Sequence, residues 1–365
     1  MVTMPASRQP AISIRNVRKT FGPKVAVTNM NLTVDTGSTV AFLGPNGAGK
    51  TTTIRMIMSI IFPDHGELSV LGKKSAVESK DRIGYLPEER GVYKKMKVGA
   101  FLAYMARLKG VPDRQIKGLV SDWLAKVGLS DCEKKKCEEL SKGMQQKVGF
   151  VAAILHNPDL VILDEPFSGL DPVNASLMRH LVDEMKRAGK TILFSTHVMA
   201  HAEALCDHVL MIHQGDKVLD ESMDSIRSKL DPRTVLVEPL VKTRVADGTV
   251  ASLALLVTAQ RLSEIRDIER VVPSTRQGGT LEVTVAEGTD TQEMMRTIAA
   301  AVPIRRLELR RVSLEDIFIS LVGADGVVVS DDGDEGDEGN EGNEGSEAGD
   351  VREEAQGGVK GPIAG

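Results

Sequence analysis

The sequence predicts an α/β protein. A mixed sheet layered with helices comes first, then a small α+β unit of ferredoxin-like order, then a disordered acidic tail. Three observations carry this. Over residues 1 to about 228, the short continuous apolar runs STVAFLG, DLVILDEP and TILFSTH alternate with helix-period segments, as buried parallel strands and their crossover helices do. From about 229 to 323 the strand and helix signals follow one another as βαββαβ. Residues 324–365 contain DDGDEGDEGNEGNEGSEAGD, which has too little apolar surface to offset the entropy of ordering the chain.

The elements follow in order. ISIRNVRKTF and MNLTVD alternate apolar and polar residues and predict half-buried antiparallel strands. STVAFLG predicts the first buried strand, with a helix over 50–60 after it. Further helices are expected over about 97–109, 115–127, 141–156, 174–188 and 199–205. Ser141 and Asn174 stand as capping residues, Pro158 follows the 141–156 segment, and Gly189 stops the 174–188 segment. In the second unit the pattern gives a strand over 234–240, a helix near 257–267 and a hairpin around RQGG (276–279). A helix over 290–301, a strand over 304–310 and a helix over 313–322 complete it. Ser313 and Asp316 form a start to that last helix resembling a capping box.

Composition narrows the class. The chain is 365 residues long, 41% hydrophobic and 27% charged, enough for one large domain and a smaller one. Cys132, Cys137 and Cys206 are too few for a disulfide framework, which points to a reducing compartment. Cys132 and Cys137 lack the second pair a zinc site needs. No apolar run approaches the ~18 residues of a membrane span, and MVTMPASRQP has no signal-peptide core. The expectation is a cytoplasmic chain that reaches a membrane only through a partner. The net charge of −5 conceals an asymmetry: residues 331–354 hold 12 acidic residues against one arginine, and Lys360 follows, so residues 1–330 carry +5. That excess suits a phosphate ligand or a membrane-facing surface as well as nucleic acid.

Four stretches carry chemistry. GPNGAGKTT (44–52) joins a strand to a helix and fits G-x-x-x-x-G-K-[ST] at Gly44, Gly49, Lys50 and Thr51, with Pro45, Asn46, Gly47, Ala48 and Thr52 completing the loop. Such a loop turns backbone N–H groups toward a phosphate, lets Lys50 reach β- and γ-oxygens, and sets the Thr51 hydroxyl for Mg²⁺. In DLVILDEPFSGLD a buried strand ends in two acids: Asp164 suits Mg²⁺, and Glu165 suits the water that attacks a γ-phosphate. In ELSKGMQQKVGF, Ser141 and Gly143 open a long helix. An ordinary capped helix would show the same residues, but a second phosphate-seeking helix start also suits another nucleotide, held by a second copy. In TILFSTHVMAHAEALCDHVLMI, His197 ends an apolar strand on the same sheet edge as Glu165 and suits a γ-phosphate; His197 and His201 stand at metal-pair spacing without a third ligand.

Taken together, residues 11–221 resemble the nucleotide-binding subunit of ABC transporters. GPNGAGKT is similar to the Walker A motif, LSKGM to the LSGGQ signature, LVILDEP to Walker B with its catalytic acid, SGLD (168–171, ending in Asp171) to the D-loop, and His197 to the H-loop histidine. The resemblance implies an ABC ATPase fold with an antiparallel β subdomain and a helical subdomain at about 89–157. It implies ATP and Mg²⁺ as ligands, with Lys50, Glu165 and His197 catalytic. Phe21 matches the residue that stacks on adenine, though a strand-core role would also fit it. Two departures stand out. IGYLPEERGVY puts Glu88 where the Q-loop glutamine is usual, a group that can ligate Mg²⁺ but cannot donate as an amide does. Lys142 and Met144 replace Gly and Gln of the signature. LPEERG, LSKG and the terminal SLEDIFISLVG resemble an exporter-type branch with a separate permease and a C-terminal extension. That implies an integral-membrane partner, a homodimer or ATPase heterodimer, a peripheral position on the cytoplasmic face of the membrane, and no nucleic acid. A soluble ABC-type ATPase of ribosome or DNA, and a non-hydrolysing subunit, are the rival readings.

Overall fold

The computed structural model describes residues 10–89, 91–229, 233–240, 249–274, 278–310 and 313–322. The tail expected over 324–365 and part of the hairpin tip at 276–279 lie outside them. In chain order the first elements are β1 (Ile12–Phe21), β2 (Lys24–Val34), β3 (Thr39–Leu43), α1 (Lys50–Ile57), β4 (His65–Val70) and β5 (Ile83–Leu86). Then come α2 (Val98–Leu108), α3 (Asp113–Lys126), α4 (Lys142–Ile154), β6 (Leu160–Asp164), α5 (Pro172–Arg187), β7 (Thr191–Thr196), α6 (Met199–Leu205), β8 (His208–His213), β9 (Asp216–Ser222) and α7 (Met223–Lys229).

A six-stranded sheet in the order β5-β6-β7-β3-β8-β9 forms the centre. Its first five strands run parallel, and β9 pairs antiparallel with β8. Every residue of β3, β6 and β7 is buried, which is why these strands are unbroken apolar runs rather than alternating ones. One hydrophobic cluster joins the sheet to α2, α3, α4 and α5; a second joins it to α1 and to the antiparallel sheet β2-β1-β4. The mixed-sheet expectation therefore stands, and so does the alternation of half-buried residues in β1 and β2.

The C-terminal part runs β10 (Thr234–Pro239), α8 (Thr249–Ser263), β11 (Ile268–Pro273), β12 (Leu281–Val285), α9 (Thr291–Ala301), β13 (Ile304–Leu309) and α10 (Leu314–Val322). Its four strands form one antiparallel sheet ordered β11-β12-β10-β13, the ferredoxin-like arrangement read from the βαββαβ pattern. Val235, Val237, Leu281, Val283 and Ile298 fill a third hydrophobic cluster on the helix-covered face.

Several boundaries differ from expectation. Helix α5 starts at Pro172 with Asp171 as its cap, not at Asn174. The Asp171 carboxylate accepts the Asn174 N–H at 2.9 Å, and proline fits the first helical position because its missing N–H needs no partner there. Helix α1 ends at Ile57 rather than 60, where Ser59 turns to φ +56°. Helix α8 spans Thr249–Ser263 instead of 257–267; Asp267 at φ +67° already belongs to the turn into β11. Strands β4, β8 and β9 carry no clear strand signal in the sequence: HGELSV is half exposed and lacks an apolar run, and HVLMIH is too short for periodicity to separate strand from helix. Among the described residues no helix is long and apolar enough to cross a membrane.

Candidate nucleotide site

The chemistry-bearing residues meet at the ends of the parallel strands. Strand β3 stops at Leu43, and the chain turns through Gly44–Gly49 into α1. Two glycines are forced here. Gly44 has φ +149° and an added Cβ would lie 2.2 Å from the Ile212 carbonyl oxygen; Gly49 has φ +111° and its Cβ would lie 2.5 Å from that of Ala26. The loop is thus wedged between β2 and β8. Ala48 is held there too, its carbonyl accepting the Gly215 N–H at 2.9 Å. The N-terminus of α1 has no side-chain cap and no acid in its first turn, so its backbone N–H groups and partial positive charge face the cleft without competition. Lys50 is 5% exposed and donates to the carbonyls of Gly44 (2.6 Å) and Pro45 (3.1 Å), with Nζ 3.7 Å from Glu165 Oε1. Burial pushes its pKa below the ordinary lysine value, and the charges of Glu165 and Asp164 pull it back up.

Across the cleft, β6 delivers Asp164 and Glu165. Asp164 is fully buried. Its Oδ1 accepts from Ser195 Oγ at 2.5 Å and from Thr51 Oγ1 at 3.4 Å, and its Oδ2 has no hydrogen-bond partner. Thr51 Oγ1 also lies 3.4 Å from Glu88 Oε2. Burial raises the Asp164 pKa; the Ser195 and Thr51 hydroxyls oppose that. The buried, unpartnered carboxylate oxygen beside a hydroxyl and a second carboxylate is a donor set that fits Mg²⁺. Among the described residues no three His, Cys, Asp or Glu side chains are gathered as a protein-only metal site, so a cation there needs oxygens from a phosphate ligand. Glu165 holds the left-handed conformation, φ +48°. Its N–H donates to Ser195 Oγ at 3.0 Å, and its Oε1 is 3.0 Å from His197 Nδ1.

Phe21 is 51% exposed, so it is not a strand-core residue. It lines the cleft with Lys24, Asn46, Gly47, Gly49, Lys50, Thr51, Thr52, Glu88 and Glu165. Gly44, Pro45 and Ala48 shape the loop from behind. Ser141, Gly143 and Asp171 are not brought to this cleft. Ser141 caps α4 by accepting from the Met144 N–H at 3.3 Å. A Cβ on Gly143 would touch Leu170 at 3.5 Å and Asn174 at 3.8 Å, so these residues share a patch at the starts of α4 and α5. Met144 packs on the main core, whereas Lys142 is exposed. The His201 ring meets that of Phe167 at 4.6 Å, tilted by 56°. Cys132 and Cys137 are buried free thiols. Sequence reasoning missed Ser195, which ties both acids together; the available signal was a hydroxyl in the otherwise apolar run TILF that ends in His197.

Comparison with known proteins agrees with this geometry. Residues 27–168 match the ABC transporter family model, and residues 222–322 match the model of the ATP-binding protein DrrA1-3-like C-terminal domain. The uncharacterized ABC transporter ATP-binding protein YhaQ of Bacillus subtilis is 37% identical over 86% of this chain and 99% of its own. The bacitracin transport ATP-binding protein BcrA of Bacillus licheniformis is 30% identical over 86% and 97%. A solved ATP-binding subunit of an ABC transporter is 30% identical, with a TM-score of 0.56 over 60% of this chain and 92% of that one. The chain therefore belongs to the ABC transporter ATP-binding proteins, a family of ATPases coupled to transport, here with a DrrA-like C-terminal domain.

Proposed function

We propose that this chain hydrolyses ATP as half of a two-ATPase assembly that drives a separate membrane permease, exporting an ion, drug or lipid from a peripheral position on the cytoplasmic face. The observation that carries the reading is the split of phosphate-seeking groups over two surfaces. Lys50, Thr51 and Glu165 line one cleft, with Asp164 in contact with Thr51 and His197 with Glu165, whereas Ser141, Gly143 and Asp171 sit together on another patch. Each surface by itself is incomplete. In the proposed assembly the α4 start of one copy closes over the phosphates held by the other, so ATP joins the two copies. Adenine stacks on Phe21. Thr51 and Asp164, with Glu88 beside them, would hold Mg²⁺, which would supply charge neutralisation at the phosphate oxygens. Glu165 accepts the proton of the water that attacks the γ-phosphate, and His197 contacts that phosphate while orienting Glu165 through the 3.0 Å contact.

Transport of a drug is supported by the relative named for bacitracin transport. The permease reading places its contact on Glu88 to about residue 100, between the catalytic layer and the helical segment of 89–157. The same reading divides the chain at about 228, with a separate C-terminal domain over 229–323 and a tail beyond. Glu165→Gln is the test. With ATP and Mg²⁺ it keeps nucleotide binding, loses turnover by about 10²-fold or more, and runs as a dimer in size-exclusion chromatography with light scattering. Undiminished hydrolysis removes Glu165 from its role; a strict monomer, both alone and with its permease, removes the shared cage.

A further inference from the structure

Helix α10 touches two elements that lead to the candidate nucleotide site, α6 and β8. Its first residue, Leu314, is 1% exposed within the core shared by the six-stranded sheet and its helices. The Leu314 N–H donates to Glu203 Oε1 of α6 at 2.6 Å. A helix start leaves such N–H groups unsatisfied and favours a carboxylate, so Glu203 acts as a cap supplied from another element. Further along, the Phe318 ring meets His213 at 6.1 Å. His213 follows Ile212, whose carbonyl abuts Gly44 of the phosphate loop.

Helix α6 is where this contact matters. It begins two residues after His197, and His201 within it stacks on Phe167, two residues after Glu165. Its end is fixed independently, because Lys186 Nζ donates to the Leu205 carbonyl at 2.9 Å. Glu203 is therefore a point at which the C-terminal part holds the helix that follows His197. On the other side α10 is tied to its own sheet: Arg310 bridges Glu282 of β12 (2.7 Å) and Asp316 of α10 (2.9 Å), and Asp316 closes the capping box with Ser313.

We infer that Glu203 is a positioning residue for hydrolysis: by capping α10 it lets the C-terminal part set α6, and thereby the placement of His197 against Glu165. This rests on the roles proposed above for His197 and Glu165. A rigid link of this kind fixes a rate-determining geometry without touching the nucleotide. It also gives the DrrA-like part a route to the ATP site that a displacement of its sheet would alter.

The test uses the full-length chain, labelled with ¹⁵N-histidine, in Glu203→Ala, Glu203→Gln and wild type. Glutamine keeps an acceptor for the Leu314 N–H; alanine does not. Expected are shifted ring resonances of His197 and His201 in Glu203→Ala only, with kcat lowered about fivefold, the worth of one hydrogen bond, and ATP Kd unchanged. Unmoved resonances in Glu203→Ala overturn the inference, as does a Glu203→Gln chain as defective as Glu203→Ala. Asp316→Ala loosens the start of α10 from the far side; it gives the same resonance shifts should Glu203→Ala fail to fold, and unmoved resonances in it overturn the inference equally. His197→Ala run in parallel separates the two readings. Full hydrolysis there removes the proposed role of His197, and the resonances alone then decide whether Glu203 holds α6.

Discussion

Ser195→Ala tests how the two acids are held. Ser195 is fully buried, and its hydroxyl donates to Asp164 Oδ1 at 2.5 Å while accepting the Glu165 N–H at 3.0 Å. Alanine leaves a buried N–H and a buried carboxylate oxygen short of their partner, at about 1–3 kcal/mol each. Asp164 Oδ1 keeps the weaker contact with Thr51, so the sum is about 3 kcal/mol, enough to lower Tm by roughly 8 °C. The catalytic consequence is separate. Glu165 sits at φ +48°, a conformation that costs a non-glycine residue of order 1 kcal/mol or more and persists only while its surroundings hold it. Without the Ser195 anchor the Glu165 backbone relaxes and its carboxylate moves from His197. A displacement near 1 Å lowers kcat by about 10- to 100-fold. Scanning calorimetry and a steady-state phosphate-release assay read the two effects. Wild-type Tm together with wild-type kcat would refute the reasoning.

Phe21→Ala weakens ATP by about tenfold in equilibrium titration, the loss of one base–aromatic stack, and leaves Tm unchanged because the ring is 51% exposed and outside the core. An unaltered Kd removes Phe21 from the adenine site. His156 has Nε2 3.2 Å from the Ile83 carbonyl oxygen and a buried Nδ1 without a partner; burial first, then the Lys109 charge, pull its pKa down to about 4. The folded chain therefore refuses a proton that the unfolded chain takes up below its ordinary value of about 6.5. Stability is fully present above that pH and is lost as pH falls toward 4, by up to about 3 kcal/mol. His156→Gln flattens that part of the profile in urea melts at pH 6.5 and 4.5, and an unchanged slope contradicts the assignment.

Much of this was legible in the residues because packing left its mark on composition. A strand enclosed on both faces must be continuously apolar, so β3, β6 and β7 announced themselves; β1 and β2 showed as alternation, whereas β4, with only its last residue buried, showed neither pattern. The phosphate loop was readable because backbone approach dictates glycine at 44 and 49. Phe21 was not decidable, since a ring in β1 could face either the core or the cleft, and only the pairing of β1 with β2 exposes it. Asp171 and Asn174 are both good caps, and Pro172 between them was the clue that selects the first. The partners of Ser195 and Glu203 were hidden for another reason. Each acts on a residue more than 25 positions away, and no spacing rule reaches that far.

The charge layout of the cleft carries the argument one step further. Its α1 side offers Lys50 and an uncapped helix start with no acid of its own in the first turn, whereas Glu88, Asp164 and Glu165 stand opposite. A single buried lysine faces three carboxylates, yet its Nζ spends its shortest hydrogen bonds on the Gly44 and Pro45 carbonyls. A triphosphate must displace those two bonds, and it brings about four negative charges beside the acids. Helix dipole and lysine together return too little for that. In the proposed assignment the cation at Thr51 and Asp164 makes up the difference, and the glutamate at position 88, where the family's amide would be neutral, makes its contribution larger. The nucleotide and its divalent cation are then bound as one unit, because neither charge set is tolerable in this cleft without the other.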